Sequence, residues 1–130
     1  MLVCEDCDVE MTVEGVLAAG FIASGQTCVT GSRVIVQEGV YDEVVERLVR
    51  RVGELKVGRP WEMETDIGAV IDAKAVERCE WFVETARKEG AKVLVGGEAV
   101  KVDGKVRSLL TGNLILGTFL SAYVTGRLSS

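Results

Sequence analysis

The sequence predicts an α/β domain on a mainly parallel sheet with helices on its faces, and three observations carry that expectation. Two short apolar runs, Arg33-Val34-Ile35-Val36-Gln37 and Lys92-Val93-Leu94-Val95, alternate with longer segments whose apolar residues recur at helical spacing. The centres of those runs are continuously apolar, as strands covered on both faces are. A composition of 48% hydrophobic and 27% charged residues over 130 positions belongs to a chain able to bury a core, not to a disordered one.

In chain order, Asp6 and Asp8 are N-cap types ahead of a first helix in which Val9, Val13, Val16, Leu17 and Phe21 share one period. Gly15 to Ala23 carries no charge and is rich in Ala and Gly, which predicts a helix end buried nearly all round. Gly25 is its expected stop. After the strand at 33–37, a second helix is predicted from Tyr41 to Leu55, with Val44, Val45, Leu48, Val49, Val52 and Leu55 inward and Asp42, Glu43, Glu46, Arg47, Arg50 and Arg51 outward. A long connection holds Gly58, Pro60 and Asp66-Ile67-Gly68. Asp72 then caps a third helix with Val76, Cys79, Val83 and Ala86 inward, and Gly90 closes it. The strand Lys92–Val95 follows, and Asp103-Gly104 predicts a hairpin turn between Val100-Lys101-Val102 and Lys105-Val106. Only two or three strands are legible, so the sheet is expected to be incomplete, with exposed edges suited to self-association.

Composition also excludes chemistry. Histidine is absent, which removes Ser-His-Asp and Cys-His catalysis and His-ligated metal sites from this chain. Fifteen Lys and Arg against twenty Asp and Glu give a net charge of -5, which argues against nucleic acid as a partner. The opening residues have no basic segment followed by an apolar run, so no secretory signal is expected, and the setting is reduced and cytoplasmic with Cys4, Cys7, Cys28 and Cys79 as free thiols. Cys4-Glu5-Asp6-Cys7 spells CxxC, but no second close pair exists to complete a zinc site, so the spacing is read as chance and no metal is expected.

Composition divides the chain into residues 1–107 and an apolar tail, 108–130. Nineteen residues from Ser108 to Gly126 are uncharged, long enough as a helix to cross a bilayer. Thr111, Gly112, Asn113, Gly117, Thr118 and Ser121 make the tail polar for that role, so membrane is an unfavoured partner and a buried or partner-covered segment is expected.

Cys28 is the leading candidate for chemistry. It lies between a buried helix and a strand, where α/β folds place reactive groups, although a lone cysteine is more often an inert small hydrophobe. The segment Ser24-Gly25-Gln26-Thr27-Cys28-Val29-Thr30-Gly31-Ser32-Arg33 resembles the catalytic-cysteine segment of the aldehyde dehydrogenase family. Glu5-Asp6-Cys7-Asp8, Tyr41-Asp42-Glu43, Lys56-Val57-Gly58-Arg59-Pro60, Thr65-Asp66-Ile67-Gly68 and Val93-Leu94-Val95-Gly96-Gly97 follow in the family's order and spacing. The resemblance covers about residues 3 to 106 and disappears after Val106, where the family would continue into a Pro-Thr strand and Ser108 to Ser130 carries nothing of the kind.

The resemblance implies a partial three-layer α/β/α catalytic domain and the oxidation of an aldehyde substrate to a carboxylic acid with NAD or NADP. Cys28 would attack the carbonyl to give a thiohemiacetal and then a thioester, with its backbone N–H as half of an oxyanion hole. Ile22, Thr27 and Val29 match positions that shape the aldehyde pocket, with simple packing as the alternative. The family's Glu-Leu-Gly-Gly motif with its general base, its nucleotide-binding domain and its Glu-x-Phe-Gly-Pro motif fall outside these residues, and Ala75 stands where a cofactor-touching Gln is frequent. Turnover by this chain alone is therefore not expected. A non-catalytic association module and a membrane-tethered fragment through residues 108–126 are the alternative readings.

Overall fold

The computed structural model describes residues 1–102 and the strand segments 106–108, 114–116 and 124–128, with side chains described over residues 1–100. In order, the elements are β1 (Leu2–Val3), α1 (Val9–Phe21), a 3-10 turn (Ile22–Gly25), β2 (Arg33–Gln37), α2 (Glu38–Glu54), α3 (Ala73–Lys88), β3 (Lys92–Val95), β4 (Val100–Val102), β5 (Val106–Ser108), β6 (Leu114–Leu116) and β7 (Val124–Leu128). The main sheet has five strands in the order β1-β2-β7-β6-β3, and β4 and β5 pair separately. Within the main sheet β1, β2, β7 and β6 run parallel and β3 is antiparallel to β6, and the separate β4–β5 pair is also antiparallel. The mainly parallel α/β domain predicted from the apolar runs is what the chain forms.

The helices form where caps and periodicity meet. Asp8 Oδ1 accepts from the Met11 amide at 3.0 Å, and Asp72 Oδ1 accepts from the Ala75 amide at 2.8 Å, each satisfying a first-turn donor with no intrahelical partner. Replacing either aspartate by alanine is expected to lower stability by about 1 kcal/mol, read as a lower urea midpoint with an unchanged slope. α2 begins earlier than the apolar period suggests, at Glu38, because β2 passes directly into it through Gln37. Gly90, at φ +86°, lets the chain leave α3 in the left-handed conformation.

One core joins α1, α2 and the sheet. Val13, Val16 and Leu17 of α1 pack with Tyr41, Val44, Leu48 and Val52 of α2 onto Val34 and Val36 of β2, and Leu94 and Val95 of β3 border the cluster. Val93 faces the other way, against Val83 and Ala86 of α3. Strict alternation would send Val95 to the side of Val93, but a register irregularity between Val93 and Val95 breaks it. Helices thus lie on both faces of the sheet, with α3 only at the β3 end. On that second face at the β1 end, Leu2 and Ile35 are exposed.

Three expectations change. The C-terminal half of α1 is not buried all round, since Gly15 and Ala18 are exposed while Val16, Leu17 and Gly20 face the core. Its freedom from charge reflects small residues on an open face. Gly25 does not stop α1 directly, because the helix ends at Phe21 and a 3-10 turn intervenes. The tail contributes strands: β7 lies between β2 and β6, and β6 pairs with β3, so the two or three legible strands become a five-stranded sheet. An uncharged run suits a strand flanked on both sides as well as it suits a helix. Among the described residues no helix is long and apolar enough to cross a membrane. The β4–β5 pairing joins Val102 to Val106 as the hairpin predicted, and Asp103-Gly104 lies outside the described residues.

Candidate active site

The segment from α1 to β2 is built around a departure from regular backbone. Ala23 and Ser24 have φ of 49° and 56°, and Gly25 follows at 76°, three successive residues in the left-handed region. Glycine adopts it freely, whereas the two non-glycine residues cost about 1–3 kcal/mol each, a strain that persists only where surroundings enforce it. The enforcing contacts are visible. Ser24 Oγ donates to the Gly68 carbonyl at 3.1 Å, the Gln26 amide N–H donates to the Ala23 carbonyl at 3.1 Å, and Gln26 Oε1 accepts from the Ile71 amide at 2.9 Å.

Beyond the left-handed stretch the chain makes one tight turn. The Thr30 amide donates to the Thr27 carbonyl at 3.1 Å, which places Cys28 and Val29 at the two central positions. The closing bond leaves the amides of Cys28 and Val29 out of the turn's own pairing. Cys28 is exposed, Val29 is 74% exposed and Thr27 is half-buried. Ile22 sits at the end of α1, before the left-handed residues, and is also exposed. Thr27, Cys28 and Val29 therefore share one turn, and Ile22 is separated from them by the strained stretch. The exit from the turn is held by main chain, with the Gly31 amide donating to the Ala19 carbonyl of α1 at 2.9 Å. A methyl group on Gly31 would come within 2.8 Å of the Met1 side chain, so this end is closely packed.

The remaining candidates are placed elsewhere. Glu14 is engaged by Arg51, whose Nε and Nη2 donate to its oxygens at 2.7 and 3.1 Å, and this charge-assisted pairing holds the Glu14 carboxyl below the usual range. Asp8 is a helix cap, and Glu5, Asp6, Glu10 and Arg33 are exposed. Gly96 and Gly97 have φ of 77° and 90° and lead from β3 into β4, with no helix opening there to cradle a phosphate. The Ala75 amide is used by the Asp72 cap. Among the described residues no group of three Cys, Asp or Glu side chains is placed to hold a metal ion.

The four thiols differ by environment. Cys4 and Cys28 are exposed, while Cys7 and Cys79 are half-buried. Burial pushes the Cys79 thiol up, against the smaller opposing pull of Arg78. Because the thiolate is the reactive form, alkylation of Cys79 by iodoacetamide is expected to lag behind Cys28 near neutral pH and to catch up as the solution is made alkaline. Site-resolved mass spectrometry across a pH series checks this.

Sequence reasoning missed the side chains that hold the strained stretch. Ser24 and Gln26 were legible only as part of a motif, since their partners lie more than forty residues along, at Gly68 and Ile71.

The model of the aldehyde dehydrogenase family matches residues 1–117. Glutarate-semialdehyde dehydrogenase of Pseudomonas putida is 41% identical over 100 residues, 77% of this chain and 21% of that protein. An NADP(+) succinate-semialdehyde dehydrogenase of Escherichia coli is 42% identical over 98 residues, 75% of this chain and 20% of that protein. Among solved structures, betaine aldehyde dehydrogenase of Staphylococcus aureus in complex with NAD+ gives a TM-score of 0.91 at 26% identity, over 99% of this chain and 28% of that one. The chain spans about a fifth of the length of these curated relatives. The family match runs on to residue 117, which corrects the expectation that the resemblance disappears after Val106.

Proposed function

The chain belongs to the aldehyde dehydrogenase family, and from that premise we propose that Cys28 is the nucleophile of an enzyme that oxidises an aldehyde to a carboxylic acid with NAD or NADP as acceptor. The observation that carries the reading is the position of Cys28, exposed in a tight turn that the strained left-handed stretch from Ala23 to Gly25 leads into. Strain of this kind is maintained where a side chain must be aimed.

The residues of this chain perform one step. Cys28 Sγ adds to the aldehyde carbon, the carbonyl π pair moves to oxygen, and that oxygen takes the proton the thiol gives up, leaving a thiohemiacetal. The Cys28 amide, outside the turn's closing bond, is the donor for the developing oxyanion. Thr27 and Val29 flank the sulfur within the turn, and with Ile22 they form this chain's share of the aldehyde-facing surface. NAD(P)+ supplies the oxidising power of the overall reaction. The described residues do not fit it, since the glycine pair after β3 leads into a strand and the first-turn amide at Ala75 is spent on a cap. No step through the cofactor is assigned to them.

The test uses the chain as it is. A semialdehyde labelled with 13C at the carbonyl, mixed with the protein, is expected to give a thiohemiacetal resonance. Adding NAD+ or NADP+ is expected to produce no reduced nucleotide, since the general base and nucleotide site implied by the family fall outside these residues. No adduct at Cys28 overturns the nucleophile, and clear NADH or NADPH formation overturns the division of labour.

A further inference from the structure

We propose that Gln26 is a positioning residue for Cys28, acting through a side-chain clamp that ties the cysteine turn to the Gly68–Ile71 segment. The inference rests on the reading of Cys28 as nucleophile. It starts from an asymmetry in how the turn is anchored. The exit is fixed by main chain, through the Gly31 amide on the Ala19 carbonyl at 2.9 Å and the close packing of Gly31 against Met1. The entry is joined to the 68–71 segment by side chains.

Gln26 uses both ends of its amide. Oε1 accepts from the Ile71 amide at 2.9 Å, and Nε2 donates to the Ala23 carbonyl at 3.4 Å. Ser24 adds a second strut, Oγ to the Gly68 carbonyl at 3.1 Å. Two residues so held, Ala23 and Ser24, are in the left-handed region, and Gly25 follows them there. Without the clamp this stretch has a lower-energy conformation to relax into, and Cys28 lies two residues beyond Gln26. Relaxation re-aims the Cys28 amide and sulfur while leaving both exposed. Aldehyde addition needs sulfur and amide aligned together on one carbonyl, whereas alkylation by a small reagent needs only an accessible thiolate. The clamp is therefore expected to control the first far more than the second.

The experiment measures both reactions at Cys28 on the full chain: adduct formation with a 13C-carbonyl semialdehyde, and the rate of alkylation by iodoacetamide. Gln26→Ala is expected to lower the adduct by about fivefold or more while alkylation changes by less than about twofold. Gln26→Glu, which keeps an oxygen to accept from the Ile71 amide, is expected to retain most of the adduct. Gln37→Ala is the control, because Gln37 Oε1 likewise accepts a backbone amide, from Glu5 at 2.9 Å, away from the cysteine turn. It is expected to change neither reaction. If Gln26→Ala also speeds alkylation of the half-buried Cys7 and Cys79, the fold has loosened. The decision then passes to Ser24→Ala, which must lower the adduct, and Gln26→Glu, which must keep it. Wild-type adduct levels in Gln26→Ala, or in Ser24→Ala when the decision passes to it, overturn the clamp and leave the nucleophile standing. No adduct in the unmodified chain overturns the nucleophile, and the clamp with it.

Discussion

In Cys28→Ala the aldehyde adduct disappears, while in Cys4→Ala it is retained. The loss is complete because alanine has no atom to form the carbon–sulfur bond. The contrast matters because both cysteines are exposed, so accessibility does not separate them. What separates them is Cys28's place in the centre of a turn whose entry is strained and clamped and whose exit is pinned to α1. Cys28→Ser is expected to lose the adduct as well. A serine hydroxyl needs a general base to become a useful nucleophile, and the base that the family resemblance implies falls outside these residues. The check is the 13C spectrum of each variant at equal protein and aldehyde concentration, with cysteine alkylation confirming that the other thiols keep their native order of reactivity.

Leu48→Ala is the largest expected loss of stability, about 2–5 kcal/mol, because it removes a fully buried side chain from the meeting point of both helices and the sheet. Against a typical domain stability of roughly 5–15 kcal/mol this is a large share. Leu48 lies on α2 between Val44 and Val52, and the three are fully or almost fully buried against Val34 and Val36. Shortening it loses the contacts with those neighbours and leaves a cavity among them, and both terms add to the cost. Urea denaturation followed by far-ultraviolet dichroism reads the loss. A change below 1 kcal/mol would mean that the α2 face is not the core of the folded chain.

Where periodicity and capping agree, the fold was legible in the residues. Asp8 and Asp72 cap the helices expected of them, and Val76, Val83 and Ala86 are buried where a 3.6-residue period puts them. The tail was not legible, for a physical reason. β6 has three residues and β7 is interrupted by Gly126 and Arg127, so neither is long or regular enough for alternation to mark it as a strand. Their pairing with β2 and β3 is long-range, a property of the sheet and not of the segment. The length of the uncharged run left a membrane span as the unfavoured alternative to a buried or partner-covered segment, and among the described residues no helix is long and apolar enough to cross a membrane.

The candidate site was legible in one part and hidden in another. The run from Ser24 to Arg33 identified the thiol, since its resemblance is carried by contiguous residues. The clamp through Gln26 and Ser24 joins positions forty-four or forty-five apart, and spacing along the chain says nothing of it. The left-handed conformations of Ala23 and Ser24 were equally silent, because neither residue type signals a positive φ.

The most direct measurement is iodoacetamide labelling of the native chain at neutral pH, resolved by cysteine, with and without a saturating semialdehyde. The expected result is that Cys28 is labelled ahead of Cys7 and Cys79, and that the aldehyde slows labelling at Cys28 while leaving Cys4 unchanged. A Cys28 that stays unlabelled in the folded protein, or that labels at the same rate whether or not the aldehyde is present, would contradict its assignment as the nucleophile.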